Sequence, residues 1–364
     1  MHWFFGLILT LLITPALIWV AHQYGLLDHP DERKHHQGAI PVVGGLAMFF
    51  AVAVSAAWHL AGTDIFWGLL TSLSIIVLVG FLDDRTGLSV RRRFLVQGIA
   101  GLIMALFAGA QLASLGDLFG FGPVALGVLA VPFTVFAVVG MANALNLSDG
   151  MDGLAGGLAL IATIFLALAA DFSGRESTLV AMLILMGALI GFLAFNMRLP
   201  WQRRAKVFMG DCGSLMLGFL LAWAAIRVTQ ADKNPLPPAA ALWFFAIPLL
   251  DTVSLMLRRM LKGKSPFHPG RDHLHHILLR VGYTDNQVVR FIHLVAVAFG
   301  LVGYFGWRWG VSDAVLFYGF LAVFGLYFYG VQHAWKLMRL IVPLRKQHQP
   351  TSDCEAHSST ASVE

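Results

Sequence analysis

Apolar runs recur along almost all of this 364-residue chain, and short polar stretches separate them. A helix that crosses a bilayer needs about 20 mostly apolar residues. About eleven runs satisfy that length, near 3–22, 41–61, 66–82, 94–113, 125–145, 153–170, 177–195, 212–230, 239–257, 289–307 and 311–332. They predict an all-α, polytopic membrane protein. Pro15, Pro132 and Pro248 fall inside predicted spans, where neighbouring helices can re-satisfy the interrupted backbone. The first run, Trp3 to Val20, has no basic flank before it and no small-residue cleavage site, so it reads as a span and not as a signal peptide. Residues 1–346 read as one polytopic domain, and the Ser/Thr-rich stretch 347–364 as a disordered cytoplasmic tail.

Composition supports the pattern. Hydrophobic residues make up 58% of the chain and charged residues 12%, where a soluble domain carries about 25% charged residues. Half of the usual solvated surface is missing, and lipid must replace water over much of the protein. The net charge of +5 is therefore read as a topology signal and as contact with anionic head groups, with no nucleic-acid partner. Cys212 and Cys354 provide neither a disulfide framework nor metal-ligand spacing.

The basic residues fall mainly in alternate loops: Arg33 and Lys34; Arg85 and Arg91 to Arg93; Arg198, Arg203, Arg204 and Lys206; and Arg258 to Arg280. The positive-inside rule places these loops in the cytoplasm, with the N-terminus outside and the C-terminus inside. The unusual polar clusters lie on the same side. A transporter would instead carry charge at mid-span and often an internal repeat, and the sequence displays neither.

Asp83 and Asp84 end the third span, followed by Arg91-Arg92-Arg93. Adjacent carboxylates repel, and a divalent cation is a simple way to hold them together. An ordinary acidic helix end is the bland alternative, although negative charge is unfavourable at a C-terminus. In Asn143-Ala-Leu-Asn146-Leu-Ser-Asp149-Gly-Met-Asp152 polar residues recur every third position, which predicts neighbours along one side of a helical stretch. A turn cap needs one such residue and here there are four, so the segment is expected to bind a nucleoside or magnesium. Phe208-Met-Gly-Asp211 opens the eighth span; Asp211 reads either as a cap or as a metal ligand, and Phe208 as a surface for a base. Arg271-Asp-His273-Leu-His275-His276 lies in the longest basic loop. It lacks a convincing zinc set, and phosphate contact is the preferred reading. Lys34, ahead of Gly44 and Gly45, is within reach of a phosphate. Asp251, near Arg258 in the ninth span, reads as an interfacial ion pair.

Together these motifs, in this order from about Leu27 to Arg280, resemble the polyprenyl-phosphate N-acetylhexosamine-1-phosphate transferase superfamily, and the His273–His276 pattern resembles its UDP-GlcNAc branch. Gly87 stands where that branch often has a third acidic residue. The resemblance implies eleven spans, a cytoplasmic active site in the inner membrane, and Mg2+ or Mn2+ as cofactor. It implies UDP-GlcNAc as donor and undecaprenyl phosphate as acceptor; assembly as a homodimer is left open. In that scheme Asp211 holds the metal, Asp83 and Asp84 lie by the lipid phosphate as base or metal ligands, and Asp149 and Asp152 act with Asn143 and Asn146 on the nucleoside side. Phe208 lies against the uracil, while Lys34, Arg271, His273, His275 and His276 contact phosphates.

Overall fold

The computed structural model describes residues 2–28, 38–266 and 273–333. Among the described residues it is an all-α bundle, with two short antiparallel strands, β1 (Leu27–Asp28) paired with β2 (Ile40–Pro41). The helices are α1 (His2–Tyr24), α2 (Gly44–Leu60), α3 (Phe66–Thr86), α4 (Val90–Phe107), α5 (Ala130–Leu147), α6 (Leu154–Phe172), α7 (Glu176–Asn196), α8 (Gly210–Thr229), α9 (Pro238–Phe244), α10 (Ala246–Leu261), α11 (Leu274–Arg280), α12 (Asp285–Arg308) and α13 (Asp313–Gln332). Each of the eleven predicted runs coincides with a helix or a helix pair. Among the described residues, eight helices are long and apolar enough to cross a bilayer unaided, or nine spans if the bent pair α9–α10 is one. Of the other two, α2 has 17 residues and α4 carries Arg91 to Arg93 in its first turn.

The ninth run is not the continuous span the hydropathy predicts. It is broken into α9 and α10, which meet at 88°. Pro248 supplies a physical reason. It has no N–H to give the carbonyl four residues back, that of Phe244, and its ring crowds that position. The helix accordingly stops at Phe244 and restarts at Ala246. A further short helix, α11, was not foreseen.

The bundle is built around α8. Its most apolar window is 94% buried, against 22% for α1 and 11% for α13. It packs on α2, α3, α5 and α6, and these contacts are close because small residues face one another. Gly45 meets Gly213, and a Cβ on Gly80 would lie 2.5 Å from Cα of Cys212. In lipid, where apolar surface is no driving force between helices, such approach supplies van der Waals attraction. It also fixes the start of α8 against the end of α3 and the start of α2. An apolar recess between the far ends of α2 and α3 is lined by residues such as Phe49, Leu60, Phe66 and Leu69.

A carboxylate site at one end of the bundle

Helix ends remote in sequence meet at one end of the bundle: those of α3, α5, α7 and α10 by their C-termini, and α2, α4, α6, α8 and α12 by their N-termini. The start of α8 organises them. Gly210 adopts φ +72, a backbone state that costs glycine little. The chain segment before it runs beside α2: the Phe208 N–H donates to the Pro41 carbonyl at 2.8 Å, while Gly44 and Gly45 donate to the carbonyls of Phe208 and Met209.

Asp84 then does something its own helix does not suggest. Its two oxygens accept from the backbone N–H groups of Asp211 (2.8 Å) and Cys212 (3.1 Å). A carboxylate at the unfavourable end of α3 thus caps the favourable end of α8. Asp83 accepts from the Leu88 N–H at 2.7 Å and from Arg93 Nη1 at 2.7 Å. Arg93 also lies 3.4 Å from Asp211 Oδ2, so one guanidinium on α4 serves two carboxylates. The other oxygen of Asp211 accepts from Asn146 Nδ2 at 2.8 Å, which also reaches Ser214 Oγ at 2.9 Å. Gly87 ends α3 with φ +65 and donates its N–H to the Asp83 carbonyl, a left-handed cap for which glycine is suited.

The polar series from Asn143 to Asp152 does not share one helical side. Helix α5 ends at Leu147, and the four residues turn four ways. Asn143 donates to Gln97 Oε1 on α4 at 2.6 Å and to the Val139 carbonyl at 2.8 Å. Asn146 joins Asp211. Asp152 accepts from Arg198 Nε at 2.7 Å and from the Ala205 N–H at 3.3 Å, and Arg198 also pairs with Asp285 at the start of α12. Asp149 alone remains open: its carboxylate makes no hydrogen bond among the described residues. Its residue is open to water, with the other carboxylates of the cluster close by. Lost solvation, then the charges of Asp211, Asp84 and Asp152, push its carboxyl up to about 7.

A raised carboxyl favours protonation in the folded state, so its stabilising contribution is present below about pH 4 and is lost as pH rises through about 7. Asp149→Asn removes that loss. In EDTA the variant is expected to unfold at a higher temperature than the parent at pH 8, with the gap closing toward pH 5. A gap that stays constant with pH would show that the Asp149 charge is not the source.

The histidine arm approaches from α10. His273 is buried and its Nδ1 lies 2.7 Å from Asp251 Oδ2. Asp251 Oδ1 accepts from the Leu274 N–H (3.0 Å) and from Tyr327 Oη–H (2.7 Å) on α13. The reading of Asp251 as an ion pair with Arg258 is therefore replaced: its oxygens serve the arm. His275 stacks on His273 at 5.7 Å, and His276 lies 4.2 Å from His275. A Cβ on Gly150 would come 2.5 Å from His275 Nε2, so the arm presses on the Asp149 loop. Burial, then His276 and His273, push the His275 imidazole down to about 3, leaving it neutral. A small pocket between arm and bundle is lined by Ser148, Asp251, His275 and neighbouring apolar residues. Lys34 and Arg271, with His35, His36 and Asp272, lie outside the described residues.

Sequence reading missed Gln97, Arg198, Asp285 and Tyr327. Arg198 stands in a basic loop whose charges are a topology signal, and the other three carry no local pattern.

Fold and site define a polytopic membrane protein with a carboxylate-rich, arginine-bridged centre at one end of its helices. Known proteins give this class a family. The profile described as Glycosyl transferase family 4 matches residues 66–229. The chain is 36% identical over 332 residues to the undecaprenyl-phosphate alpha-N-acetylglucosaminyl 1-phosphate transferase of Escherichia coli strain K12, covering 90% of this chain and 89% of that protein. The enzyme of the same name from Yersinia pestis is 37% identical over 351 residues, covering 95% and 96%. That of Haemophilus influenzae is 34% identical over 348 residues, covering 94% and 96%. The chain belongs to glycosyl transferase family 4.

Proposed function

We propose that this protein transfers GlcNAc-1-phosphate from UDP-GlcNAc to undecaprenyl phosphate, releasing UMP, at the cytoplasmic face of a bacterial inner membrane. The observation that carries this reading is the convergence of Asp83, Asp84, Asp149 and Asp211 at one end of the bundle, with Arg93 bridging Asp83 and Asp211, in a chain matched along 90% of its length by transferases of that name. Both reactants are anionic, and such a site can hold them only if positive charge is brought between them.

Mg2+ or Mn2+ fits the donor set. The candidate ligands are all hard carboxylate oxygens, led by Asp211, with Asp83 and Asp84 adjacent. Among the described residues no three such groups already form a cage. Magnesium needs none: it is commonly held by one or two carboxylates plus substrate phosphates and water. When bound, the ion screens phosphate charge and polarises the phosphorus under attack.

The chain's own residues do the rest. Asp84 fixes the start of α8, so that Asp211 stands at a set depth. Arg93, shared between Asp83 and Asp211, can turn one N–H toward an incoming phosphate without leaving either carboxylate bare. Asn146 orients Asp211, and Asp149 stays open toward the donor. The histidine arm supplies ring N–H groups on the phosphate side. Holding both reactants in line accounts for about 7–11 kcal/mol of barrier lowering, and direct attack by the lipid phosphate needs no covalent enzyme intermediate. The polar end of the bundle, with Arg91, Arg92, Arg203 and Arg204 beside it, suits the cytoplasmic side.

The test is UMP release by purified protein with undecaprenyl phosphate and magnesium, comparing UDP-GlcNAc with UDP-MurNAc-pentapeptide. Release with UDP-GlcNAc that stops on adding EDTA is expected. Release with the pentapeptide donor alone would move the protein to another sugar, and release with neither across a panel of UDP-sugars would sink the reaction itself.

A further inference from the structure

The buried carboxylate of Asp251 lies outside the carboxylate cluster and accepts from three donors. It stands in α10 with its residue 7% exposed. Three donors from two further elements converge on it: His273 Nδ1, the Leu274 N–H and Tyr327 Oη–H. Leu274 is the first residue of α11, so Asp251 caps that helix from a different helix. Burying a carboxylate is costly unless it is paired and hydrogen-bonded. Three bonds on one group meet that need, yet the same need could have been met by an apolar residue. The arrangement has a direction: everything Asp251 grips leads to the arm that presses on Gly150.

We infer that Asp251 and Tyr327 are positioning residues that set the ring orientation and tautomer of His273, and through it the seat of the histidine arm against the Asp149 loop; this rests on the transferase reading of the site. An ionised carboxylate can only accept hydrogen bonds. Facing one, His273 carries its proton on Nδ1, and Nε2 on the far edge of the ring is left to accept a proton or, once protonated, to donate to an anionic group. Tyr327 fills the remaining direction on Oδ1, so the carboxylate cannot rotate away. Because Tyr327 is on α13, the least buried of the eight candidate spans, that helix has a task at the site although it touches none of the four clustered aspartates.

Asp251→Asn tests this with almost no change in shape. If the Asn oxygen keeps Leu274 and Tyr327, its amide must donate to Nδ1, which drives the ring proton to Nε2. The variant is expected to keep its thermal unfolding temperature within a few degrees while kcat falls about 10–100-fold, the size seen when a group that orients a ligating histidine is lost. The pH profile of kcat should shift as well, and ring 15N shifts of labelled protein should show His273 changing from Nδ1–H to Nε2–H. In a His273→Ala background the Asp251→Asn change should cost nothing further. Tyr327→Phe, which leaves the carboxylate in place, should lower kcat about 3–10-fold and serves if Asp251→Asn fails to fold. Parent-like kcat in either folded variant, an unchanged tautomer, or an equal loss with and without His273 would overturn the positioning role. The tautomer measurement needs no substrate. A parent protein that releases no UMP from any donor would therefore refute the transferase reading and leave the clamp to be judged by the ring shifts.

Discussion

Asp211→Asn leaves a folded protein whose UMP release falls by at least about 10^3-fold, close to 4 kcal/mol of transition-state stabilisation. The fold tolerates the change. Asn keeps an oxygen for Asn146 Nδ2, and the backbone N–H of residue 211 still donates to Asp84. The amide that replaces Oδ2 loses the 3.4 Å contact with Arg93, but a charge is also removed from a crowd that includes Asp83, Asp84 and Asp149. These effects oppose each other, so the unfolding temperature should move little. Activity has no such compensation. If Asp211 holds the proposed ion, its amide is a poor substitute, because a neutral amide is a weak ligand for a hard cation. Measuring UMP release and thermal unfolding on the same preparation separates the two properties. Near-parental turnover would remove Asp211 from the metal-binding role.

Gly80→Ala touches no charged group and should still cripple the enzyme. The new Cβ would lie 2.5 Å from Cα of Cys212 and 2.6 Å from its nitrogen. Both are backbone, so a helix must move. Relief to an ordinary contact needs α3 and α8 to part by about 1 Å, an overpacking that costs about 1–3 kcal/mol. The same displacement carries Asp83 and Asp84 away from the start of α8, where Asp84 holds the N–H groups of Asp211 and Cys212. A misplacement of about 1 Å is worth about 10^2-fold in rate. The expected result is a lower unfolding temperature together with a kcat reduced by about two orders of magnitude. Normal turnover in a destabilised protein would mean that the α3–α8 contact is structural and does not set the geometry of the site.

The spans were legible because lipid imposes a strict rule: about 20 apolar residues for each crossing. Where a span departs from a straight rod, hydropathy averages the departure away. Pro248 was visible in the run from 239 to 257, yet only the fold shows that it divides the run at Phe244. The carboxylates were legible for the opposite reason, since so many ionisable groups at helix ends exceed what capping requires. Their partners were not. Asn143 and Asn146 are one turn apart and read alike, but the first faces Gln97 and the second Asp211. That difference is set by how α5 rotates between α4 and α8. Asp152 resembles Asp149 in sequence and is tied to Arg198 instead, because the loop after α7 folds back beneath it. Asp251 and Tyr327, 76 residues apart, share no pattern that a local reading could use.

The central place of α8 also has a meaning in time. A membrane protein is made from its N-terminus onward, and when α8 leaves the ribosome α2, α3, α5 and α6 have already emerged. The four aspartates, Arg93 and Asn146 all lie at or before the start of that helix. The carboxylate centre can therefore close while about a third of the chain is still unmade. The histidine arm and the Tyr327 brace arrive last, as fittings added to a finished socket.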